Sequence, residues 1–305
     1  MTRGSNVDDQ TSRSQHRIPV LENELAVGNT RGVIPTGTTA FYTMIGTPII
    51  QVKSPLIYNR YFADHGIDAV MVAMNVPSDQ VSSHFEHMRA ISNFGGSIVT
   101  IPHKQAAVDS MDEMSERSKI LVSVNVVRAE NGRLIGDMVD GLGFMVAIKN
   151  HRLSIPGKRV AIIGGGGAGA AIAQAIAKAG ADEMVIKEIR TECHEFLEHV
   201  VKNANPDIRV SFELHTLEGF DLVVNATPGG MNDDPRVPFP TQTLSPPTLV
   251  ADVVTNPKVT PWLAAALKKG CAVQYGVEMV YGQFGLMGRH LGLEIPDPEN
   301  FSMFG

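Results

Sequence analysis

Polar residues dominate the first 37 positions, and a sustained apolar run first appears at residues 39–46, Thr-Ala-Phe-Tyr-Thr-Met-Ile-Gly, which reads as a strand. The segment before it reads as a flexible extension. Ser54-Pro55 reads as a helix N-cap and first turn, with Leu56, Ile57, Tyr61 and Phe62 on the apolar face. Residues 69–74 predict a second strand, 78–91 a helix and 97–101 a third strand, and Lys104 opens another helical stretch after Pro102. Asn131-Gly132 signals a tight hairpin turn between residues 124–128 and 133–135. Residues 140–150 predict a helix leading out of this first region.

From Val160 onward short apolar runs alternate with helical segments. The candidate strands are 160–163, 184–187, 209–212, 222–225, 249–253 and 272–275, the pattern of a parallel sheet with helices on both faces. A last helix, from about residue 278 to 291, crosses back to the first region and places a site in the cleft between the two.

The second region opens with Val160-Ala161-Ile162-Ile163, then Gly164-x-Gly166-x-x-Gly169, then a helix from Ala170. Strand, glycine turn and small-residue helix in that order read as a phosphate-binding turn for a dinucleotide. Gly164 allows the tight turn, Gly166 lets backbone approach a pyrophosphate, and Gly169 lets helix lie close to strand. Gly167 and Ala168 complete the turn, whose helix N-terminus supplies unpaired N–H groups. Glu188 follows the next strand, where a carboxylate accepts both ribose hydroxyls and repels a 2′-phosphate, favouring NAD. Arg190 argues for NADP, since a guanidinium pairs with that phosphate. The bland alternative is that Glu188 and Arg190 are loop charges paired with each other.

The chain has 305 residues, enough for two domains, and a formal net charge of −6 that offers no basic surface for nucleic acid. Its two cysteines, Cys193 and Cys271, make no disulfide framework and predict a reducing cytoplasm. The first ten residues hold Asp8 and Asp9 and no apolar core, unlike a secretory signal. The apolar stretch 160–181 is broken by glycines and Lys178, so it reads as a buried β-α unit and not a membrane span. Histidines and acids show no metal-ligand spacing, and no metal is expected.

Several motifs in order resemble the shikimate dehydrogenase family, which includes the quinate/shikimate dehydrogenases. They are Gly46-Thr47-Pro48-Ile49, Lys53-Ser54-Pro55, Thr100-Ile101-Pro102-His103-Lys104, Val124-Asn125, and Gly136 through Gly141. The glycine turn, Asn225 through Met231, Asp252-Val253-Val254 and Gly276 through Gln283 complete the series. The resemblance implies an α/β fold of two domains, an α/β substrate-binding domain and a Rossmann dinucleotide-binding domain with a cleft between them. The expected boundaries are 1–37 for the extension, 38–143 plus 279–305 for the substrate domain, and 144–278 for the Rossmann domain. It implies reversible hydride transfer between NAD, with NADP the open alternative, and a secondary alcohol on a small hydroxylated ring. Lys104 becomes the proton-transfer residue with Asp140 its partner, and Ser54, Thr100, Asn125 and Gln283 contact substrate. Asn225, Thr227, Val253 and Gly276 join the glycine turn in holding the dinucleotide. Monomer and homodimer both stay open.

The residues themselves support part of this. An ammonium at a helix start is opposed by the dipole, so a lysine there is not decorative, and one held by a carboxylate can donate and recover a proton. His103 is a spare acid/base candidate that reads better as packed.

The departures bear on substrate. The family holds a substrate carboxylate with two hydroxyl residues flanking a lysine; here they are Val52 and Ser54. Losing one donor to a buried charged oxygen costs about 1–3 kcal/mol, roughly ten- to hundredfold in affinity. Ile98, Met138-Val139 and Thr255 replace further polar family positions. The expected substrate is therefore shikimate, quinate or a related hydroxylated compound. The alternatives are a different alcohol with little shikimate turnover, or a non-catalytic NAD-binding sensor.

Overall fold

The computed structural model describes residues 34–296; the predicted extension up to residue 33 and the tail from 297 lie outside them. Within that span the chain builds two six-stranded sheets joined through helices.

The first sheet holds β1 (Ala40–Gly46), β2 (Ala69–Asn75), β3 (Phe94–Val99), β4 (Glu113–Met114), β5 (Val126–Glu130) and β6 (Arg133–Asp137), in the spatial order β2-β1-β3-β5-β6-β4. β1 pairs parallel with β2 and β3, β3 antiparallel with β5, β5 antiparallel with β6, and β4 parallel with β6. Asn131 and Gly132 join β5 to β6 with φ of 53° and 75°, the two left-handed positions a two-residue hairpin turn needs. β2 lies at the sheet edge, where α1 (Ser54–His65) covers part of it. The Asn59 amide donates to the Met71 carbonyl at 2.8 Å and accepts from the Met71 N–H at 2.7 Å, standing in for a neighbouring strand.

Two local expectations change here. Lys53, not Ser54, is the N-cap of α1, and Ser54 is the first helical residue. The buried face carries Ser54, Tyr58, Tyr61 and Phe62, at i, i+4, i+7 and i+8, while Leu56 is 59% exposed. After Pro102 no helix forms. Residues 101–107 make successive turns, followed by a short 3₁₀ turn at Val108–Ser110. The Lys104 carbonyl accepts from the Val124 N–H at 2.9 Å, which takes it away from an i+4 amide. The helix-dipole argument for Lys104 therefore does not apply.

α2 (Val81–Arg89) and α3 (Glu116–Leu121) complete the first half, and α4 (Asp140–Asn150) leads to the second. The second sheet holds β7 (Arg159–Ile163), β8 (Glu183–Lys187), β9 (Arg209–Ser211), β10 (Leu222–Asn225), β11 (Leu249–Asp252) and β12 (Ala272–Gln274). Its order is β12-β11-β10-β7-β8-β9 and every pair is parallel, so strand order reverses between β7 and β10. In such sheets the crevice at the carboxyl ends of those two strands takes the ligand. α5 (Gly167–Lys178), α6 (His194–Ala204) and α7 (Pro261–Lys268) cover the sheet, and α8 (Gly276–His290) returns to the first half, where the Tyr58 hydroxyl of α1 donates to the Phe284 carbonyl at 2.8 Å.

α4 is the junction. A Cβ added at Gly141 would overlap the Ala171 carbonyl oxygen of α5, and one at Gly282 of α8 would overlap the Gly143 carbonyl of α4. Only glycine permits those backbone approaches. Gly141→Val is expected to cost about 2–3 kcal/mol by overpacking, read as a lower urea midpoint from the fluorescence of Trp262, which is fully buried. A shift below about 0.5 kcal/mol would show that the α4–α5 contact tolerates separation.

Candidate active site

Three segments of the first half converge on one carboxylate. Asp140 is the first residue of α4 and only 2% exposed. Its Oδ2 pairs with the Lys104 ammonium, and its Oδ1 accepts from the Asn125 amide at 2.6 Å. The Asn125 Oδ1 accepts in turn from the Val139 N–H at 2.9 Å, which sets which way the amide faces. Both carboxylate oxygens are thus engaged, and the helix N-terminus adds its favourable dipole. The Lys104 side chain keeps 15% of its surface exposed, so the ammonium is held from behind with N–H groups left for an incoming oxygen.

His103, next in the chain, is fully buried and bonded through Nε2 to the Val76 carbonyl oxygen at 2.7 Å, a packed histidine as its context suggested. Gln283 is buried on α8 with its stem against Gly143 of α4. Thr100 is half-buried just past β3, its N–H on the Ile45 carbonyl, and Ser54 is buried at the start of α1. Neither hydroxyl bonds to the Lys104 group.

At the switch point Gly164 has φ +98°, and a Cβ at Gly169 would overlap the Gly164 carbonyl oxygen, so helix and strand meet through these two positions. No side chain caps α5, whose first residues are Gly167, Ala168 and Gly169, and a Cβ at Gly166 would meet nothing within 4 Å. The turn therefore leaves an open cradle faced by free N–H groups.

Glu188 closes the floor of that turn. Its carboxylate accepts from the Gly165 N–H at 2.9 Å, the Arg190 N–H at 2.9 Å and the Arg190 guanidinium at 3.0 and 3.1 Å. The guanidinium and these N–H groups hold its pKa down to about 2. The pairing of Glu188 with Arg190 is real, and it leaves the guanidinium half-exposed at the turn's edge.

Asn225, at the end of β10, spends its side chain within the chain. It donates to Asp252 at 3.0 Å and to the Gly229 carbonyl at 3.2 Å, and accepts from the N–H and hydroxyl of Thr227. Val253 follows β11 with its N–H on the Asn225 carbonyl, and a Cβ on Gly276, which opens α8, would overlap the Val254 carbonyl oxygen. These residues line the switch-point rim as built turn geometry.

Sequence reasoning passed over Asp252 itself. Fully buried, it accepts from Asn225, from the Val254 N–H at 2.9 Å and from the Thr260 hydroxyl at 2.6 Å. Burial outweighs those donors and raises its pKa to about 6. The Thr260-Pro261 pair, an N-cap followed by a helix-opening proline, was a legible cue to a polar partner here.

Comparison with known proteins agrees with this geometry. The family model described as the shikimate dehydrogenase substrate binding domain matches residues 44–127. A shikimate dehydrogenase (NADP(+)) of Geobacillus kaustophilus (strain HTA426) is 32% identical over 253 residues, covering 80% of this chain and 90% of that protein. The chain belongs to the shikimate dehydrogenase family. Among solved structures of similar fold, the shikimate 5-dehydrogenase of Listeria monocytogenes in complex with shikimate and NAD has 29% identity and a TM-score of 0.75, covering 86% of this chain and 95% of that one. The ligand-free 5-ketofructose reductase of Gluconobacter sp. strain CHM43 has 27% identity and a TM-score of 0.76, covering 86% and 96%.

Membership assigns the first sheet to substrate and the second to NAD(P), and the open cradle at Gly166 with its uncapped helix fits a dinucleotide diphosphate. No helix among the described residues is long and apolar enough to cross a membrane.

Asp252 generates a pH prediction. Its folded-state pKa of about 6 exceeds the ordinary 3.8, so its contribution to stability is complete below pH 3.8 and is lost as pH rises through 6. In Asp252→Asn, where the amide still meets Asn225, Val254 and Thr260, that dependence should vanish. Urea midpoints from pH 4 to 7 should fall more steeply for the parent than for the variant; parallel curves would show the carboxyl ionises normally.

Proposed function

We propose that this chain catalyses reversible, NAD(P)-dependent oxidation of a secondary alcohol on a small hydroxylated ring compound, with Lys104 transferring the proton. The observation that carries the reading is the Lys104–Asp140–Asn125 group, built from three chain segments. A nicotinamide dinucleotide held at the glycine turn and the start of α5 would supply the hydride chemistry. Lys104 gives its proton to the substrate oxygen as the carbonyl is reduced and recovers it in the reverse direction. Asp140 holds the ammonium in place and balances its charge, and Asn125 holds Asp140. Gln283, Thr100 and Ser54 supply substrate contacts. Residues 38–143 plus 279–305 act as the substrate domain and 144–278 as the dinucleotide domain, in a reducing cytoplasm consistent with free Cys193 and Cys271.

Substrate choice departs from a carboxylated ring. Val52 packs against the apolar cluster that holds Ile98, Val139 and Phe284, where a hydroxyl would have served an anion. The Gluconobacter relative is named for a ketose, which has no carboxylate. Met138 is a correction to the polarity argument: it faces the opposite cluster, with α5, and does not line the Val52 side.

Lys104→Ala is expected to lower kcat by about 10² or more, the usual weight of a positioned acid–base group, with NAD affinity nearly unchanged in direct titration. Unchanged turnover would sink the mechanism. We also read the cofactor preference as NAD, because Glu188 keeps a carboxylate at the turn while engaging Arg190. Glu188→Ala, which frees that guanidinium for a 2′-phosphate, should lower the NAD/NADP ratio of kcat/KM about tenfold. A ratio that stays put refutes the preference.

A further inference from the structure

A cavity of about 310 Å³ lies between α3, α4, α5 and the end of α6, and neither Lys104, Asp140 and Asn125 nor the residues of the glycine turn line it. Its size is near the lower end of the roughly 300–1,000 Å³ typical of small-molecule sites. Its floor is apolar, made by Ile120, Leu121, Met138, Leu142, Ala171 and Ala175.

The rim carries donors. Arg117 lines the cavity with its guanidinium fixed by Asp137, a 5% exposed carboxylate that takes Nε–H at 2.8 Å and one Nη2–H. A guanidinium has five N–H groups, so three remain on a rigid fork. Lys178, Gln174 and Asn203 complete the rim, and their side chains make no hydrogen bond or ion pair with another described residue. The rim's acid, Glu116, is occupied by Lys119 at 2.6 Å. The excess charge at the mouth is therefore positive, over an apolar floor.

We propose that this cavity is a second ligand site, for a small organic carboxylate with an apolar body. The carboxylate sits at Arg117 and Lys178 and the body rests on the floor. The site is separate from the reacting centre yet touches it from behind. Asp140 turns its carboxylate towards Lys104 and Asn125, while Met138 and Gly141, on either side of it, line the cavity.

The probe is 3-phenylpropionate, with its uncharged amide as control, titrated by calorimetry and by the methyl resonance of Met138 in the full-length protein. Saturable binding with a Kd of about 1 mM, at least about tenfold weaker for the amide, is expected, with the Met138 methyl shifting in step. Lys178→Glu should weaken the carboxylate about tenfold and leave NAD affinity within about twofold. Absence of saturable binding overturns the proposal. So does binding that ignores Lys178→Glu and leaves the Met138 methyl unmoved, because the probe then occupies the Lys104 cleft. Neither result bears on Lys104 turnover.

Discussion

The Asp140 carboxylate is the interaction on which the site depends. A nearly unexposed charge is tolerated only where each oxygen finds a donor. Lys104 supplies one from the turns after β3 and Asn125 the other from the approach to β5. Those donors are far apart in sequence, so the carboxylate ties three segments into one group. Removing either partner leaves charge uncompensated inside the protein, which is more damaging than losing a surface pair.

That group is connected to the dinucleotide turn by glycine. α4 starts at Asp140, and its next residue, Gly141, lets its backbone lie on Ala171 of α5. The helix that carries the acid and the helix that opens at the phosphate cradle are thus in backbone contact. Gly143 and Gly282 bring α8 equally close, and α8 carries Gln283. The His151 ring closes the far end of the α4–α8 pair on Glu278 at 2.6 Å. Small residues here set the spacing between two halves that must present alcohol and nicotinamide to one another.

Val52, Ile98 and Val139 share a cluster with Tyr42, Tyr58 and Phe284. Met138, one residue from Val139, points into the other core. Adjacent positions on an irregular segment separated into different environments, which a motif comparison treats as one change.

Much of the fold was legible in the chain. The alternation after Val160, the Asn131-Gly132 turn and the glycine spacing are local patterns with local causes: period, φ preference and the absence of a Cβ. Sequence alone also singled out Lys104, Asp140 and Asn125, through motifs that the family shares. It misjudged what depends on distant partners. Lys104 does not open a helix because Val124, twenty residues on, takes its carbonyl. The Asn225 amide also meets Asp252, at the end of another strand, a contact that no local pattern announces. Asp252 stood in a matched motif with Thr260-Pro261 as a cue to a polar partner, but its ionisation was not legible: the shift comes from burial at the carboxyl end of β11. Residue identity and short-range geometry determined the elements. Which polar groups compensate one another was decided only when the sheets and α4 came together, because hydrogen bonding and desolvation are properties of neighbours in space.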